Sequence, residues 1–394
     1  MSYKDKISIV GAGCTQFGEN FELSYQDMIY HAALEACQEA GVEFTDLEAA
    51  WLGTAFPDAG VYKGRSGMDL AEAIGVFDIP ITRVSNYCAT GGDAVRNAMN
   101  SILAGQHDLV LALGVEKLRD RTPTESIVKM MVDAGHPIYQ KGFTAAGTFA
   151  VYATRHFKDF GTTREDLSQI SVKNHKHALH NPKAHMRKEL SLEDVMRSPM
   201  VAYPITLFES CPTTDGAAAV VLTKAELAKK YNADNSINVK GQGLSISTGW
   251  DLPFYQEDYD FTGFKATRVA SRNAYKQAGI TDPFKQIDFA EVHDCFSIVE
   301  LLTYEDLGFT GKGKGKELIR EGITELGGDL PVNVSGGLLS CGHPVGATGI
   351  RMIYELVRQL QGLADKRQVK DAQLGLAHNI GGPGAVASVT ILGN

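Results

Sequence analysis

Cysteine is scarce in this chain of 394 residues, which has six cysteines and no pair spaced as Cys-x-x-Cys. That pattern argues against a disulfide-stapled scaffold and against a structural zinc site, since both need clustered cysteines. No apolar run reaches the roughly 18 residues of a membrane-spanning helix, and the first residues lack the basic and apolar regions of a secretory leader. We therefore expect a cytoplasmic protein with no membrane association.

An excess of basic residues is also absent. The net charge of −9 argues against a general role in binding nucleic acid or a membrane surface, although it leaves room for a local basic patch. With 44% hydrophobic and 22% charged residues, the composition is that of an ordinary globular protein. The length exceeds what one core usually supports, so we expect two domains or a fused duplication.

Strands and helices alternate in both halves of the chain. Apolar residues recur at helical spacing up to Ala40, and Ser24 with Asp27 forms the pattern of a capping box at the start of that helix. The second half repeats the order of elements, with a strand at 237–246 followed by a helix at 266–278. The order of elements predicts an α/β fold built by internal duplication.

Three segments follow from this reading. Residues 1–118 form the first half, which is completed by 207–236, and residues 237–394 form the second half. The stretch 119–206 is more polar and richer in turns, so we expect it to be an inserted loop or lid domain.

The stretch Gly-Ala-Gly at 11–13 begins like a dinucleotide-binding fingerprint. Its third glycine, Gly18, comes two residues late, and no helix pattern follows it directly. The sequence therefore favours a simple glycine turn after a first strand that ends at Val10.

Cys88 lies where a short strand is predicted to meet a helix. A thiol there would face the free N–H groups and the positive dipole end of the helix, which lowers its pKa below the free value of about 8.5. That arrangement suits a nucleophile, whereas a buried structural cysteine is the alternative.

Four turns of similar character occur along the chain. They are Asn-Tyr-Cys at 86–88, His-Asp-Cys-Phe at 293–296, Gly-His-Pro at 342–344 and Asn-Ile-Gly-Gly at 379–382. In a two-fold α/β layout, equivalent turns from the two halves converge. They would bring together a thiol nucleophile, imidazole bases and backbone N–H donors for an oxyanion, which is the equipment for acyl transfer.

These motifs resemble those of thiolases of the sterol-carrier-protein-x type. The similarity covers Asn-Tyr-Cys-Ala-Thr-Gly-Gly, His-Asp-Cys-Phe, Gly-Gly-Leu-Leu-Ser-Cys-Gly-His-Pro and His-Asn-Ile-Gly-Gly-Pro-Gly, in that order, together with Lys-Asn-His-Lys-His at 173–177. The resemblance implies the thiolase fold, in which two duplicated halves form five α-β-α-β-α layers with a loop domain over the active site.

The resemblance also implies roles for individual residues. Cys88 would be the nucleophile that carries the acyl group, and His343 would take its proton. Cys295 would be the second acid and base, since Asn379 stands where many thiolases have another cysteine. His293 would help form one oxyanion hole, and the backbone N–H groups of Cys88 and Gly381 would form the second.

A cluster of basic residues occurs in the predicted lid. Lys173, Lys176, His177 and Lys183 could contact the phosphates of coenzyme A, and a solvated loop face is the alternative. His175 and His177 have no third ligand at a firm spacing, so no metal site is expected. No permanently bound cofactor is expected either, because coenzyme A would be a substrate.

We therefore expect a thiolase that cleaves a 3-oxoacyl-CoA, or runs the reverse Claisen condensation such as acetoacetyl-CoA formation, through an acyl-cysteine. One alternative is a degradative enzyme for a bulky, aromatic or carboxylated acyl group that works with a small zinc-ribbon/OB-fold protein. Others are a decarboxylating ketosynthase, a retro-aldolase of the same fold and a non-catalytic scaffold. The resemblance further implies a homodimer or a dimer of dimers.

Overall fold

The computed structural model of the protein describes residues 2–57, 65–126, 144–231, 235–247, 257 and 259–394. The strands are β1 Ile7–Cys14, β2 Ala49–Gly53, β3 Ile81–Val84, β4 Leu109–Glu116, β5 Met200–Ala202, β6 Ile205–Thr206, β7 Gly216–Lys224, β8 Ile237–Ile246, β9 Phe289–Val292, β10 Leu374–Gly381 and β11 Val386–Gly393.

Twelve α-helices lie wholly within these ranges. They are α1 Tyr25–Ala40, α2 Met68–Ile74, α3 Thr90–Leu103, α4 Ala145–Phe160, α5 Arg164–Ala178, α6 Leu192–Arg197, α7 Lys265–Ala278, α8 Pro283–Gln286, α9 Ser297–Asp306, α10 Gly315–Arg320, α11 Gly337–Cys341 and α12 Thr348–Leu360. Among the helices so described, none has the length and apolar character needed to cross a membrane.

Nine of the strands form one sheet in the order β3-β2-β4-β7-β1-β8-β11-β10-β9. The halves meet where β1 pairs with β8, and each half repeats the same order outward from that seam. At the outer edge of the second half, Ala290 of β9 forms an isolated parallel bridge with Val332. Val332 therefore lies beside β9 as β3 lies beside β2. This mirrored order is the expected internal duplication.

Helices cover both faces of each half-sheet, and two of them lie between the halves. α1 packs on the first half and α7 on the second, while α3 and α12 contact each other and strands of both halves. The layers are therefore α1, first half-sheet, α3 with α12, second half-sheet and α7. This confirms the predicted five-layered α/β architecture. The segment boundaries at 118, 206 and 236 stay a prediction.

Glycines bring the outer helices unusually close to the sheet in both halves. A Cβ on Gly11 would lie 2.0 Å from the carbonyl oxygen of Ala36, and one on Gly243 would lie 2.0 Å from that of Ala270.

The prediction of a turn after Val10 was wrong, because β1 continues to Cys14 and its glycines serve helix packing.

Local signals at helix starts were reliable. Ser24 caps α1, and its hydroxyl and the Asp27 carboxylate form the expected capping box. The glycine-rich stretch after Val332 contains the short helix α11, and an isolated bridge joins Val332 to Ala290 of β9.

The inserted segment contributes α4, α5, α6 and the small β5–β6 sheet. α5 packs against α9 and α11 of the second half, and α4 packs against α9. This placement brings the insertion over the edge of the molecule where the strand-to-helix turns of both halves emerge.

Candidate active site

The first-half turn is held in a strained conformation that presents Cys88 at the start of α3. Tyr87 has a φ of +49°, which non-glycine residues rarely adopt, and the turn is closed by the Thr90 hydroxyl, which donates to the Tyr87 carbonyl at 2.5 Å. The backbone N–H of Asn86 donates to the same hydroxyl at 2.7 Å. Backbone strain that the surrounding hydrogen bonds enforce is typical of functional sites.

The corresponding turn of the second half follows β9. It carries His293, Asp294 and Cys295 directly before α9, and all three are buried. The Cys295 carbonyl accepts a hydrogen bond from the backbone of Cys211 at 2.9 Å, which joins this turn to the segment before β7.

His343 reaches the same place from the glycine loop between α11 and α12. Its backbone bridges to Thr213, and Gly342 before it has a φ of +102° and packs against Thr214, where a Cβ would lie 2.7 Å from that side chain. The segment at 213–214 therefore fixes the backbone that carries the imidazole.

These turns enclose a cavity of about 310 Å³. The thiol of Cys88 and ring nitrogens of His293 and His343 lie within 4.8 Å of one another. The other described lining residues are mostly apolar: Phe56, Tyr87, Leu118, Thr144, Ala145, Ala146, Thr148, Phe149, Val201, Ser210, Cys211, Pro212, Thr213, Cys295, Phe296, Val345, Gly382 and Pro383.

The tautomer of His343 follows from its partner. Its Nδ1 lies 2.7 Å from Thr348 Oγ1, and that hydroxyl donates its own proton to the Pro344 carbonyl at 3.0 Å. Thr348 is therefore the acceptor, so His343 Nδ1 carries the proton and Nε2 bears a lone pair. His343 Nε2 has no hydrogen-bond partner in the described part of the chain and is available as a base.

His293 has the opposite arrangement. The side-chain amide of Asn379 donates to His293 Nδ1 at 3.1 Å, which places the proton of the neutral ring on Nε2. The two rings meet edge to face, with centroids 5.1 Å apart and planes at 86°. One histidine thus supplies a base and the other a hydrogen-bond donor.

Burial keeps both imidazoles neutral. It lowers the pKa of His343 to about 3, with a smaller contribution from Arg351, and it lowers the pKa of His293 well below its usual range. A neutral ring is what a base and a donor at this site require.

The Cys88 thiol is also neutral at rest, contrary to the expected thiolate. Burial raises its pKa to about 12, although N–H groups of Gly382 and of Cys88 itself work in the opposite direction. Desolvation in the apolar cavity outweighs the helix terminus. Activation therefore needs a base beside the sulfur.

The backbone N–H that faces the Cys88 sulfur belongs to Gly382, one residue after the expected Gly381. Gly381 instead packs on the turn before Cys88, where a Cβ would lie 2.7 Å from the Asn86 carbonyl oxygen. Both glycines serve the site, one as a donor and the other by allowing close approach.

Cys295 lines the cavity beside Cys211, so three thiols share the site. Burial raises the pKa of Cys295 well above its usual range, and the neighbouring Cys211 and Cys88 raise it further. A neutral thiol at this position can donate a proton.

Asp294 anchors the second-half turn to the glycine loop and to the lid. It accepts from the backbone of Leu338 at 2.6 Å and Leu339 at 3.2 Å, and from the amide of Asn174 at 2.7 Å. Burial and the nearby Glu300 raise the pKa of Asp294 to about 8.

None of the four residues expected to bind coenzyme A lines the cavity. Lys173 is buried in an ion pair with Glu300 and donates to the Val332 carbonyl at 3.0 Å. The buried His177 accepts from the Leu326 backbone N–H at 3.0 Å. These contacts make them supports for the lid.

The other two basic residues are ion-paired as well. Lys176, on the surface, lies 2.9 Å from Glu325, and Lys183 lies 2.6 Å from Glu35. The positions of all four therefore give no support to the prediction of phosphate contact.

By distance alone, Cys88, His293 and His343 could hold a metal ion. A thiolate and two neutral imidazoles are ligands that zinc accepts. A metal bound there would occupy both the thiol of Cys88 and the free lone pair of His343, and neither group could then take part in proton transfer.

The residues that orient the histidines were not predicted from the sequence. Thr348 lies five positions after His343, at the first residue of α12, and nothing in the pattern singles it out. Asn379 was interpreted only as the replacement for a cysteine.

Comparisons with known proteins agree across the whole chain. Residues 7–226 match the family model "Thiolase, N-terminal domain", and residues 250–394 match "Thiolase C-terminal domain-like". An acetyl-CoA acetyltransferase of Methanothermobacter thermautotrophicus is 42% identical over 98% of this chain and 98% of its own length. Human sterol carrier protein 2 is 36% identical over 97% of this chain and 71% of its own length.

A solved structure, the "Ltp2-ChsH2(DUF35) aldolase", has a TM-score of 0.83 at 25% identity and covers 100% of this chain and 99% of that chain. The similarity to it extends over both halves and the insertion between them.

Proposed function

The chain belongs to the thiolase family and is an acyltransferase of that family, and from this premise we propose that it breaks a 3-oxoacyl-CoA through an acyl-Cys88 intermediate. The observation that supports the intermediate is the meeting of a neutral thiol, an imidazole base and a donor imidazole in one apolar cavity. Coenzyme A enters as a substrate in this reaction.

Acylation begins with proton transfer from Cys88 to the lone pair on His343 Nε2. The sulfur then attacks the 3-oxo carbon, and the bond between C2 and C3 breaks. Its electron pair goes to the enolate of acetyl-CoA, and C2 takes a proton from Cys295. The products of this half-reaction are acyl-Cys88, an imidazolium on His343, a thiolate on Cys295 and acetyl-CoA.

Deacylation uses the same groups in reverse. The thiol of free CoA gives its proton to the Cys295 thiolate and attacks the acyl carbon on Cys88. The bond from that carbon to the Cys88 sulfur breaks, and the leaving thiolate takes the proton from His343. Every group then returns to its starting state.

Two sets of donors stabilise the developing oxyanions. We assign the thioester oxygen of the enolate to His293 Nε2–H, because Asn379 fixes that tautomer. We assign the oxygen of the tetrahedral intermediate on Cys88 to the backbone N–H groups of Cys88 and Gly382. Donors already aimed at the developing charge are the largest contributors to catalysis in such sites.

Cys295 distinguishes this reaction from its rivals. A decarboxylating ketosynthase needs no second thiol, and a retro-aldolase leaves the thiol of Cys88 without a role. In the structure both thiols line the same cavity, which supports the thiolase reaction.

We further propose a homodimer or dimer of dimers that works in the reducing cytoplasm. All six cysteines are unpaired thiols, which suits that compartment. The name of the Ltp2-ChsH2(DUF35) neighbour joins two chains, and this supports a separate small protein partner of the zinc-ribbon/OB-fold kind for this chain.

The test is mass spectrometry of the protein after mixing with 3-oxoacyl-CoA thioesters. We expect an acyl adduct on the peptide containing Cys88 that free CoA removes. Cys88→Ala should form no adduct, and Cys295→Ala should lose thiolysis. An adduct on another residue, or full activity of Cys295→Ala, would overturn the assigned roles.

A further inference from the structure

The cavity beside Cys88 has two aromatic walls, each formed by a pair of rings. Phe56 and Tyr87 form the first, with ring centroids 6.3 Å apart. Phe149 and Phe296 form the second, with centroids 5.3 Å apart and planes at 36°. A two-carbon acetyl group on Cys88 would leave most of this surface without a partner.

The first wall continues into a small apolar cluster that includes the nucleophile. Leu118 and Val345 form its buried centre, and Phe56 and Cys88 pack against it. An acyl group bound to the Cys88 sulfur therefore starts inside an apolar cluster. Filling such a space with apolar atoms is favourable, at about 25 cal/mol per Å² of surface removed from water.

The second wall is rigid because it is part of a larger aromatic core. Phe149 contacts Tyr152 and Phe264 at ring distances of 5.9 and 6.2 Å. Tyr152 is itself held by hydrogen bonds to Tyr259 at 2.9 Å and to the Pro383 carbonyl at 3.2 Å. A wall built this way sets the size and shape of what fits.

The described lining residues include no charged side chain. Arg119 contacts one of them, Thr213, at 3.1 Å, but its guanidinium is paired with Glu19. Among the residues that the structure describes, a carboxylate at the end of the acyl group would find no cationic partner in the cavity, and burying it so is costly.

We propose that the acyl group transferred by Cys88 is uncharged and of the size of an aromatic ring, as in a 3-oxo-3-arylpropanoyl-CoA, and that acetyl and carboxylated acyl groups are poorer substrates. This rests on the proposed acyl-Cys88 route. Aryl groups gain edge-to-face or offset stacking on both walls, beyond the area they bury.

The experiment compares three probes: 3-oxo-3-phenylpropanoyl-CoA, acetoacetyl-CoA and 3-oxoadipoyl-CoA, each with free CoA. We expect kcat/KM for the phenyl compound to exceed that for acetoacetyl-CoA at least about ten-fold, with the carboxylated compound lowest. A preference for acetoacetyl-CoA or for the carboxylated compound would overturn the proposal.

A matched pair of variants tests the wall itself. Ala146→Leu adds three carbons to the cavity from the first turn of α4, and Val151→Leu makes an apolar change on the exposed side of the same helix. We expect the first variant to lower the ratio of phenyl to acetoacetyl kcat/KM by about ten-fold, and the second to leave it unchanged. An unchanged ratio in Ala146→Leu would overturn the assignment of the pocket.

The readouts separate this inference from the proposed function. A Cys88 adduct formed from acetoacetyl-CoA faster than from the phenyl compound refutes the substrate class and leaves the acyl-Cys88 route standing. No Cys88 adduct from any of the three, with turnover present, refutes the route itself.

Discussion

Asn379 donates from its side-chain amide to Nδ1 of His293 at 3.1 Å, which directs the Nε2–H of that ring into the cavity. Asn379 and His293 come from adjacent parallel strands, β10 and β9, at their carboxyl ends. One hydrogen bond between neighbouring strands therefore decides which nitrogen of the histidine faces the substrate.

Asn379→Asp should reverse that choice. A carboxylate accepts a hydrogen bond, so the proton of the neutral ring would lie on His293 Nδ1. Nε2 would then present a lone pair to the cavity, and the oxyanion would lose a donor. We expect kcat for thiolysis to fall by roughly 10² to 10³, as when other oxyanion donors are removed. Nitrogen-15 NMR of the histidine ring is the independent check, and an unchanged tautomer would contradict the explanation.

Thr348→Val removes the acceptor for His343 Nδ1–H while keeping the size of the side chain. We expect acylation of Cys88 to slow by roughly 10- to 100-fold, because the ring can then turn or change tautomer. Single-turnover mass spectrometry measures that step.

Thr303→Val is the matched control for Thr348→Val, since Thr303 is a buried helical threonine whose hydroxyl has no partner among the described residues. Its acylation rate should equal that of the unchanged protein. Equal rates in all three proteins would remove Thr348 from the mechanism.

The resting state of Cys88 can be tested by alkylation. Since burial raises the pKa of Cys88 to about 12, its thiolate fraction should increase about ten-fold per pH unit. We expect the rate of modification by iodoacetamide to rise steadily between pH 7 and pH 10. A plateau below pH 8 would instead indicate the thiolate that the helix terminus alone predicts.

Lys173→Met separates the two roles considered for this lysine. It leaves the Glu300 carboxylate buried without its cation, which costs about 3–5 kcal/mol of unfolding free energy. The KM for CoA should not change, because Lys173 is far from solvent and does not line the cavity. A large increase in KM with unchanged stability would restore the phosphate-binding prediction.

Gly243→Ala tests the close approach of α7 to the sheet. The new methyl would lie 2.0 Å from the Ala270 carbonyl oxygen, so helix and strand must separate, at a cost of about 1–3 kcal/mol. Gly18→Ala is the control, since nothing lies closer than 4.0 Å to the added carbon. Denaturant unfolding of both variants measures the difference, and equal stability would contradict the packing argument.

Much of this protein is determined by local sequence. The alternation of strands and helices, the Ser24 capping box and the order of elements in both halves depend on periodicity and on residues close in the chain, so they are readable without coordinates. The motifs containing Cys88, Cys295, His293 and His343 were recognisable for the same reason, since each is a short run of consecutive residues.

Only the tertiary structure decided what those residues can do. The protonation of Cys88 depends on burial, which outweighs the adjacent helix terminus, and burial is set by side chains distant in sequence. The backbone N–H that faces the sulfur is that of Gly382 and not that of Gly381, because the path of the chain at the end of β10 decides which of the two points toward Cys88. Lys173 became an internal cation because Glu300 lies opposite it across two packed helices. Contacts between residues far apart in the chain leave no periodic trace, so the sequence singled out the proposed reacting groups while the fold set their charge and orientation.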